Sequence, residues 1–240
     1  MTLVSVLLPT RGRYDSLIKS LNSLTETCHS TDNTEILLAV DNDDIETTDK
    51  ISKFIQDKNY IKMFFYERKM YRGLHLYIND LCKKSTGNSL MIWNDDAIMN
   101  SKNWDLEIAK LHEKNFSVLN PKVENMEHYW KNQGVLFPII PKKWIDITES
   151  WSPTPGLDSW IDVLSKRLGI LHNVDTISIL HDRFELTGNN GDETYKEGRS
   201  DLQNPILQQG YEVWNHGGLL QTHYDKLLEY INKNKQDDNN

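Results

Sequence analysis

Apolar and helix-spaced segments alternate through the N-terminal half of the chain. Residues 4–8 form a short, mostly apolar run, and residues 14–24 carry apolar side chains at the i, i+3, i+4, i+7 spacing of a helix. The same alternation continues, with strands predicted at 35–40, 61–66 and 89–93 and helices at 45–55 and 74–87. Because strands buried on both faces alternate with helices, the pattern predicts an α/β fold with a mostly parallel central sheet flanked by helices.

The pattern weakens beyond Ala97. It predicts helices at 104–111 and 157–168, strands at 116–119, 134–140 and 175–180, and a terminal helix around residues 227–231. Residues 187–200 are polar and are predicted to form a mobile loop, and the polar tail at 233–240 is predicted to be disordered. The expectation is a single domain over residues 1–232.

Composition narrows the classes of function. The chain has 240 residues and a formal net charge of −8, which argues against nucleic acid as a partner. Its two cysteines, Cys28 and Cys82, give no disulfide framework and suit a reducing compartment. There is neither a transmembrane run nor a signal-peptide pattern, so we expect a cytoplasmic protein, peripheral at a membrane surface if its substrate is membrane-linked. The sequence does not indicate an oligomeric state.

The candidate chemistry follows the predicted strands. Arg11 and Arg13 come directly after the first strand, and Asp95 and Asp96 come directly after the fourth. The carboxyl ends of strands are where open α/β sheets bind ligands. The arginines offer cationic donors, and the aspartates offer oxygen ligands for a hard divalent cation. A site with both would suit a nucleotide diphosphate that is bound to a metal ion. Taken alone, each motif is equally consistent with a polar turn or solvated arginines.

Three more side chains occupy similar positions. Asp41 ends the second strand, where an acid commonly binds a ribose or a base edge, whereas Asp43 and Asp44 are assigned to capping the next helix. His181 follows the last predicted strand and can complete a metal shell begun by Asp96, although a lone histidine is more often structural.

Asp158 opens the helix at 157–168 and is the candidate general base. The alternative is an acidic residue stabilised by the helix dipole. Trp151 and Trp160 lie nearby in the sequence and favour a sugar acceptor beside this carboxylate, although both residues suit a core position equally well.

In their order along the chain, these segments resemble a family 2-type glycosyltransferase of the GT-A fold. The resemblance spans roughly residues 4–183 and rests on the shared order of the motifs. The motifs are VSVLLPTRGR at 4–13, Asp41, NDD at 94–96 in place of the DxD motif, GLDSW at 156–160 and ILHDR at 179–183.

The resemblance implies a GT-A domain with a nucleotide-binding half at residues 1–97 and an acceptor-side half at 98–200. It implies nucleotide contacts from Pro9, Thr10, Arg11, Arg13, Asp41 and Asp95, ligation of Mn²⁺ or Mg²⁺ by Asp96 and His181, and Asp158 as the catalytic base. The implied reaction moves a sugar from a nucleotide-diphosphate sugar, by default a UDP-sugar, to a hydroxyl of a glycan, lipid-linked or other acceptor. It is metal-dependent and inverting, and the missing QxxRW signature favours a non-processive enzyme.

Two departures keep an alternative open. Asn94 replaces the first acid of the DxD pattern, and Leu157 replaces the first acid of the usual Glu-Asp pair. A degenerate GT-A domain that binds a nucleotide sugar or a glycan is therefore the second hypothesis. A sugar-phosphate nucleotidyltransferase ranks lower, because residues 9–13 contain neither a glycine-rich loop nor a following lysine. We also expect the predicted loop at 187–200 to close over the diphosphate with Lys196 and Arg199.

Overall fold

A computed structural model describes residues 3–132, 134–202 and 218–237, which fold around one sheet of eight strands. The strands, in chain order, are β1 (Val4–Thr10), β2 (Thr34–Asp41), β3 (Ile61–Tyr66), β4 (Ser89–Ile92), β5 (Ala97–Met99), β6 (Val118–Val123), β7 (Ile139–Pro141) and β8 (Leu171–His181). Their spatial order is β3-β2-β1-β4-β7-β6-β8-β5. The predicted α/β class with a central sheet is confirmed, and strands from both predicted halves belong to the same sheet.

Helices cover both faces of this sheet. Those described are α1 (Tyr14–Thr27), α2 (Ile45–Ile55), α3 (Leu74–Lys84), α4 (Trp104–Lys114), α5 (Glu127–Asn132), α6 (Lys142–Thr148), α7 (Leu157–Leu168), α8 (Phe184–Thr187), α9 (Glu193–Leu202) and α10 (Gly218–Asp237). Short 3₁₀ turns occur at Thr31–Asn33, Tyr71–Gly73 and Glu124–Met126. Among the described helices, none is long and apolar enough to cross a membrane.

The N-terminal half follows the predicted alternation. β1 is parallel to β2 on one side and to β4 on the other, and β3 continues the parallel array beyond β2. Successive side chains of β1 enter opposite cores: Val6 and Leu8 pack on one face of the sheet and Leu7 on the other. Burial of each such side chain contributes about 1.5–3 kcal/mol, so the apolar run fixes this strand at the centre of the sheet.

The second half differs from the prediction in its strand boundaries. The strand predicted at 134–140 is limited to Ile139–Pro141, and β8 begins at Leu171, before the predicted start at 175. β5 and α6 were not predicted, because three and seven residues are too short for a clear apolar period. The strand β7 is antiparallel to β4 of the first half and to β6, and β5 is antiparallel to β8.

The segments predicted to be a mobile loop and a disordered tail contain helix in the described residues. Within the predicted loop at 187–200, α9 begins at Glu193; it contacts the rest of the chain through polar groups such as Thr194 and through the ring of Tyr195, and no apolar stripe marks it. The last helix continues to Asp237 through residues predicted to be a disordered tail, since lysine and glutamine propagate helices well without being buried. Residues 238–240 lie outside the described part of the chain.

Candidate active site

A cavity of about 350 Å³ opens at the carboxyl ends of β1 and β2 and beside residues 94–96. Every site residue predicted from the sequence lines it: Pro9, Thr10, Arg11, Arg13, Asp41, Asp95, Asp96, Asp158 and His181. The cavity also takes in side chains from α3, α9 and the loops between elements. The fold therefore brings together residues that are distributed over most of the sequence.

Asp41 is the centre of the first cluster in the cavity. It is buried, and its two carboxylate oxygens accept hydrogen bonds from Tyr77 Oη at 2.8 Å and from Arg11 Nη1 at 3.1 Å. Arg11 also pairs with Asp43, which therefore does not cap α2 as predicted. Asp44 is the cap, since its Oδ1 accepts from Thr47 N at 3.3 Å. Arg11 thus orients Asp41, and the positive charge of its guanidinium is balanced by Asp41 and Asp43.

A second cluster surrounds the buried carboxylates of Asp95 and Asp96. Thr10 Oγ1 donates to Asp95 Oδ2 at 2.8 Å, and Arg13 Nη1 lies 3.2 Å from Asp95 Oδ1 and 3.6 Å from Asp96 Oδ2. Burial raises the pKa of Asp95, and the neighbouring charge of Asp96 adds to this effect. Burial acts in the same direction on Asp96, but His181 and Arg13 outweigh it and hold the pKa of that carboxyl below its usual range.

Asp96 and His181 face each other across the end of the sheet. β5 and β8 are antiparallel with Ala97 opposite His181, which places His181 Nε2 3.2 Å from Asp96 Oδ1. The Asn94 amide lies 3.4 Å from the same nitrogen. The imidazole is buried and contacts the Phe137 ring edge-on, with 5.0 Å between ring centroids.

These residues fit a divalent cation. Asp96 Oδ1 is buried and accepts no hydrogen bond from the described residues, so it keeps lone pairs for a ligand. Ligand atoms at 2.0–2.1 Å from an octahedral ion lie about 3 Å apart, close to the separation found here. The described residues contain no group of three or more histidine, cysteine or acidic side chains that could hold a metal. Mg²⁺ is commonly bound by one or two carboxylates together with substrate phosphates.

Asp158 lies in the first turn of α7 and lines the same cavity. Its Oδ1 accepts from the Ser159 backbone N–H at 2.7 Å, which orients the carboxylate. Loss of hydration raises the pKa of Asp158, and the charge of Asp162 one turn later adds to the rise. Trp151 and Trp160 are fully buried core residues, so neither offers a face to a sugar.

Residues 183–202, which we term the strap, supply part of the lining of the cavity. Arg13 Nε donates to Asp192 Oδ2 at 2.7 Å, and Thr194 Oγ1 donates to the Arg11 carbonyl at 3.1 Å. Tyr195 and Arg199 of the strap line the cavity. Arg13 therefore joins the strap to the buried acids of the second cluster.

Sequence reasoning did not identify Tyr77, Met70 or the strap residues as part of the site, apart from Lys196 and Arg199; of these two, Arg199 lines the cavity and Lys196 does not. Tyr77 occupies an apolar position of α3, where a tyrosine looks like core packing, and only the fold shows its hydroxyl reaching Asp41. Met70 has a positive φ of 58°, a conformation that the sequence does not signal.

The chain matches the family described as glycosyl transferase family 2 over residues 5–154, and it belongs to that family. The comparison with curated proteins gives no match. Solved structures with the same architecture include TarS 1–349 of S. aureus in complex with UDP, at 14% identity and a TM-score of 0.59. That alignment covers 75% of this chain and 60% of TarS 1–349, so the chain spans less than two thirds of that protein's length.

A second similar structure is the mannosyltransferase PcManGT from Pyrobaculum calidifontis in complex with GDP-Man and Mn²⁺. It is 11% identical with a TM-score of 0.66, over 93% of this chain and 69% of that one. A further TarS 1–349 structure, in complex with UDP-GlcNAc, is 13% identical with a TM-score of 0.59, over 93% and 73% of the two chains. At these identities the likeness establishes the fold, and the predicted GT-A fold is confirmed.

Proposed function

We propose that this protein is a metal-dependent glycosyltransferase that moves a sugar from a nucleotide-diphosphate sugar to an acceptor hydroxyl with inversion. The observation that carries the proposal is the convergence of the Asp41 cluster, the Asp96–His181 pair and Asp158 on one cavity in a member of glycosyl transferase family 2. The acceptor is a glycan, lipid-linked or other hydroxyl compound, and transfer is non-processive.

In this proposal the first cluster binds the nucleoside. A carboxylate can accept more hydrogen bonds than the two that Asp41 receives, so it can still accept from a base or a ribose. The planar guanidinium of Arg11, held by Asp41 and Asp43, offers a face for stacking. UDP-sugar is the donor we expect, and the UDP and UDP-GlcNAc complexes of TarS support this choice.

Asp96 and His181 would hold Mn²⁺ or Mg²⁺, and the Mn²⁺ in the PcManGT complex supports this assignment. When bound, such an ion neutralises charge on a departing diphosphate. Arg13 has a related role, because its guanidinium offsets the negative charge of Asp95 and Asp96 before any substrate arrives. Asp95, held by Thr10, is placed to accept from a ribose hydroxyl.

Asp158 would take the proton of the attacking hydroxyl. Its raised pKa makes it a stronger base than an ordinary aspartate, and its hydrogen bond from Ser159 keeps one oxygen oriented. Attack by the acceptor oxygen on the anomeric carbon breaks the bond to the diphosphate in one displacement, so the configuration inverts. The strap lines one side of the cavity and would limit the access of water to the donor.

The test is release of nucleoside diphosphate from a panel of nucleotide sugars with Mn²⁺, Mg²⁺ or EDTA, followed by NMR of the anomeric configuration of the product. We expect turnover of one donor, its loss in EDTA, and its loss in Asp96→Ala but not in the control Asp175→Ala, which changes an exposed acid. Turnover that is unaffected by EDTA would contradict the metal dependence, and a retained configuration would contradict the single displacement.

The competing candidate is a binding domain without turnover, and Asn94 in place of an acid is the observation that favours it. The structure places Asn94 beside the Asp96–His181 pair, where an amide supplies less negative charge than a carboxylate. Nucleotide binding without release of diphosphate from any donor, in the presence of a range of acceptors, would favour this second function.

A further inference from the structure

His181 is held on one side by an asparagine side chain instead of a neighbouring strand. The parallel pairing of β6 with β8 ends at Val123 opposite Ile179, because the chain then turns into the 3₁₀ segment Glu124–Met126. Two residues later along β8, His181 N donates to Asn125 Oδ1 at 3.2 Å, and Asn125 Nδ2 donates to the His181 carbonyl at 2.8 Å. The amide of Asn125 thus replaces one rung of the β-ladder.

The other side of His181 is fixed by β5. Ala97 lies opposite His181, and Asp182 N donates to the carbonyl of Asp96 at 2.7 Å. The backbone of the histidine is therefore held between the strand that follows Asp96 and the side chain of Asn125. A shift of β8 at this point would change the 3.2 Å separation of Asp96 Oδ1 and His181 Nε2.

The imidazole itself receives little polar support. Metal-binding histidines usually donate their second ring nitrogen to an acceptor, which fixes the ring. Here His181 Nδ1 is buried and has no hydrogen-bond partner among the described residues. Ring orientation then depends on the contacts of Nε2 with Asp96 and Asn94, on the edge contact with Phe137 and on the position of the backbone that carries the ring.

We propose that Asn125 is a positioning residue for the metal pair: its amide fixes the backbone of His181 so that Nε2 faces Asp96 at ligand spacing. This inference rests on the proposed metal site. Asn125 lies within the family match over residues 5–154, but none of the sequence motifs contains it. Its neighbour Glu124 anchors the same turn by accepting from Ser178 Oγ and Asn100 Nδ2, so the turn remains attached to β8 when the amide is changed.

The test measures Mn²⁺ affinity by electron paramagnetic resonance of free Mn²⁺, with UDP present, in the whole protein. Asn125→Leu removes both hydrogen bonds, and Asn125→Asp keeps an acceptor for the His181 N–H but loses the donor. Loss of an outer-shell partner typically costs 10–100-fold in metal affinity. We expect at least about a tenfold loss in Asn125→Leu and a smaller loss in Asn125→Asp. UDP affinity in EDTA should stay unchanged in both, which a general loss of structure would not allow.

Two further variants set the scale. His181→Ala gives the loss for complete removal of the ligand, and Asn100→Leu changes an exposed asparagine that contacts Glu124 but not His181. If His181→Ala weakens Mn²⁺ binding while Asn125→Asp binds as tightly as the wild type, the role of Asn125 is overturned and the metal site stands. If His181→Ala itself has no effect, the metal assignment of the proposed function is wrong, and the inference is overturned with it. Should Asn125→Leu not fold, the comparison with Asn125→Asp decides the question.

Discussion

A single hydroxyl group ties the nucleotide side of the cavity to α3. Tyr77 Oη donates to Asp41 and accepts from the Lys69 backbone N–H at 2.7 Å. In Tyr77→Phe both contacts are lost, and a hydrogen bond to a charged or buried partner contributes roughly 0.5–3 kcal/mol. We expect UDP affinity, measured by calorimetry in EDTA, to fall about 2- to 20-fold because Asp41 loses its orientation.

Tyr66→Phe is the matched control for this prediction. Tyr66 packs beside Tyr77 with 5.0 Å between ring centroids, and its hydroxyl donates to Asp80 at 2.6 Å, outside the cavity. The two variants remove the same atom from neighbouring rings. Equal loss of UDP affinity in both would show that the effect comes from packing of the rings and not from Asp41.

Asp158 gives the second prediction at this scale. Asp158→Asn keeps the shape of the side chain but cannot accept a proton, so kcat should fall about 10²–10⁴-fold, the usual contribution of a general base. Donor binding should be unchanged, because the Asp41 cluster is intact. Steady-state kinetics at saturating donor test this, with Asp162→Asn as the control for a negative charge one turn away on α7.

The pH dependence of the wild-type enzyme follows from the same carboxylate. The reactive form is deprotonated, and burial raises the pKa of Asp158 above its ordinary value of about 3.9. The acid limb of the kcat profile should therefore lie at a higher pH than an ordinary aspartate would give, with activity falling as the pH decreases. A profile that stays flat down to pH ~4 would contradict Asp158 as the base.

Among the elements, the strap offers the clearest prediction. Asp192 accepts two hydrogen bonds from Arg13, at 2.7 and 3.0 Å, and is only partly exposed. Asp192→Asn weakens this charge-assisted contact, which is worth about 1.5 kcal/mol after allowance for solvent. Amide hydrogen exchange in residues 188–200 should become about tenfold faster.

The adjacent Glu193 provides a control for the strap. It is almost fully exposed and forms an ion pair with Lys196, one turn along the same helix. Glu193→Gln should leave hydrogen exchange in the strap at the wild-type rate. Faster exchange in both variants would mean that the helix is sensitive to any lost charge, and that Arg13 does not hold it.

How far the elements follow from the sequence depends on their burial. β3 and α2 have the predicted boundaries, because a strand or helix with a buried face must show its period in the apolar residues. β5 is too short to show one, and α9 makes polar contacts such as that of Thr194 with the Arg11 carbonyl. The position of α9 depends on contacts with residues far away along the chain, and a local sequence pattern carries no information about such contacts.

Some residues of the candidate site could likewise be predicted from the sequence, and others could not. The sequence pattern indicates Asp41 and Asp96 as site residues, because polar residues that end or follow an apolar strand lie at the carboxyl end of that strand, where ligands bind. Tyr77 and Asn125 could not be found in this way, because their roles depend on which atoms they meet in three dimensions. The roles given to the predicted site residues remain predictions for the kinetic experiments.

For the whole molecule, a partly buried histidine and a buried one, His112 and His223, predict how the free energy of unfolding depends on pH. Burial lowers the pKa of His112 and of His223 to about 4. An unfolded histidine titrates near 6.5, so between these values the unfolded state binds protons that the folded state does not. As far as these two histidines determine it, the free energy of unfolding should therefore have its full value above pH ~6.5 and decrease as the pH falls toward ~4.

Urea denaturation at a series of pH values tests this expectation. His112→Gln should reduce the slope of stability against pH between ~6.5 and ~4, even if the variant is less stable at neutral pH. His172, which is exposed, is the control, and His172→Gln should leave the slope unchanged. An unchanged slope in His112→Gln would show that the pKa of His112 is the same in the folded and unfolded states, which would contradict this prediction.

The pairing of β5 with β8 has a consequence for how the protein is made. β5 lies at the edge of the sheet, and its ladder partner β8 is synthesised much later, after the segment that matches the family. A growing chain that has emerged through β5 already carries Asp41, Asp95 and Asp96, whereas His181 and Asp182, whose backbone N–H donates to the Asp96 carbonyl, are still missing. Mn²⁺ binding by ribosome-arrested chains of increasing length would show when the pair forms. Nucleotide-side residues are thus available early in translation, and the Asp96–His181 pair is completed only when the last strand joins the sheet.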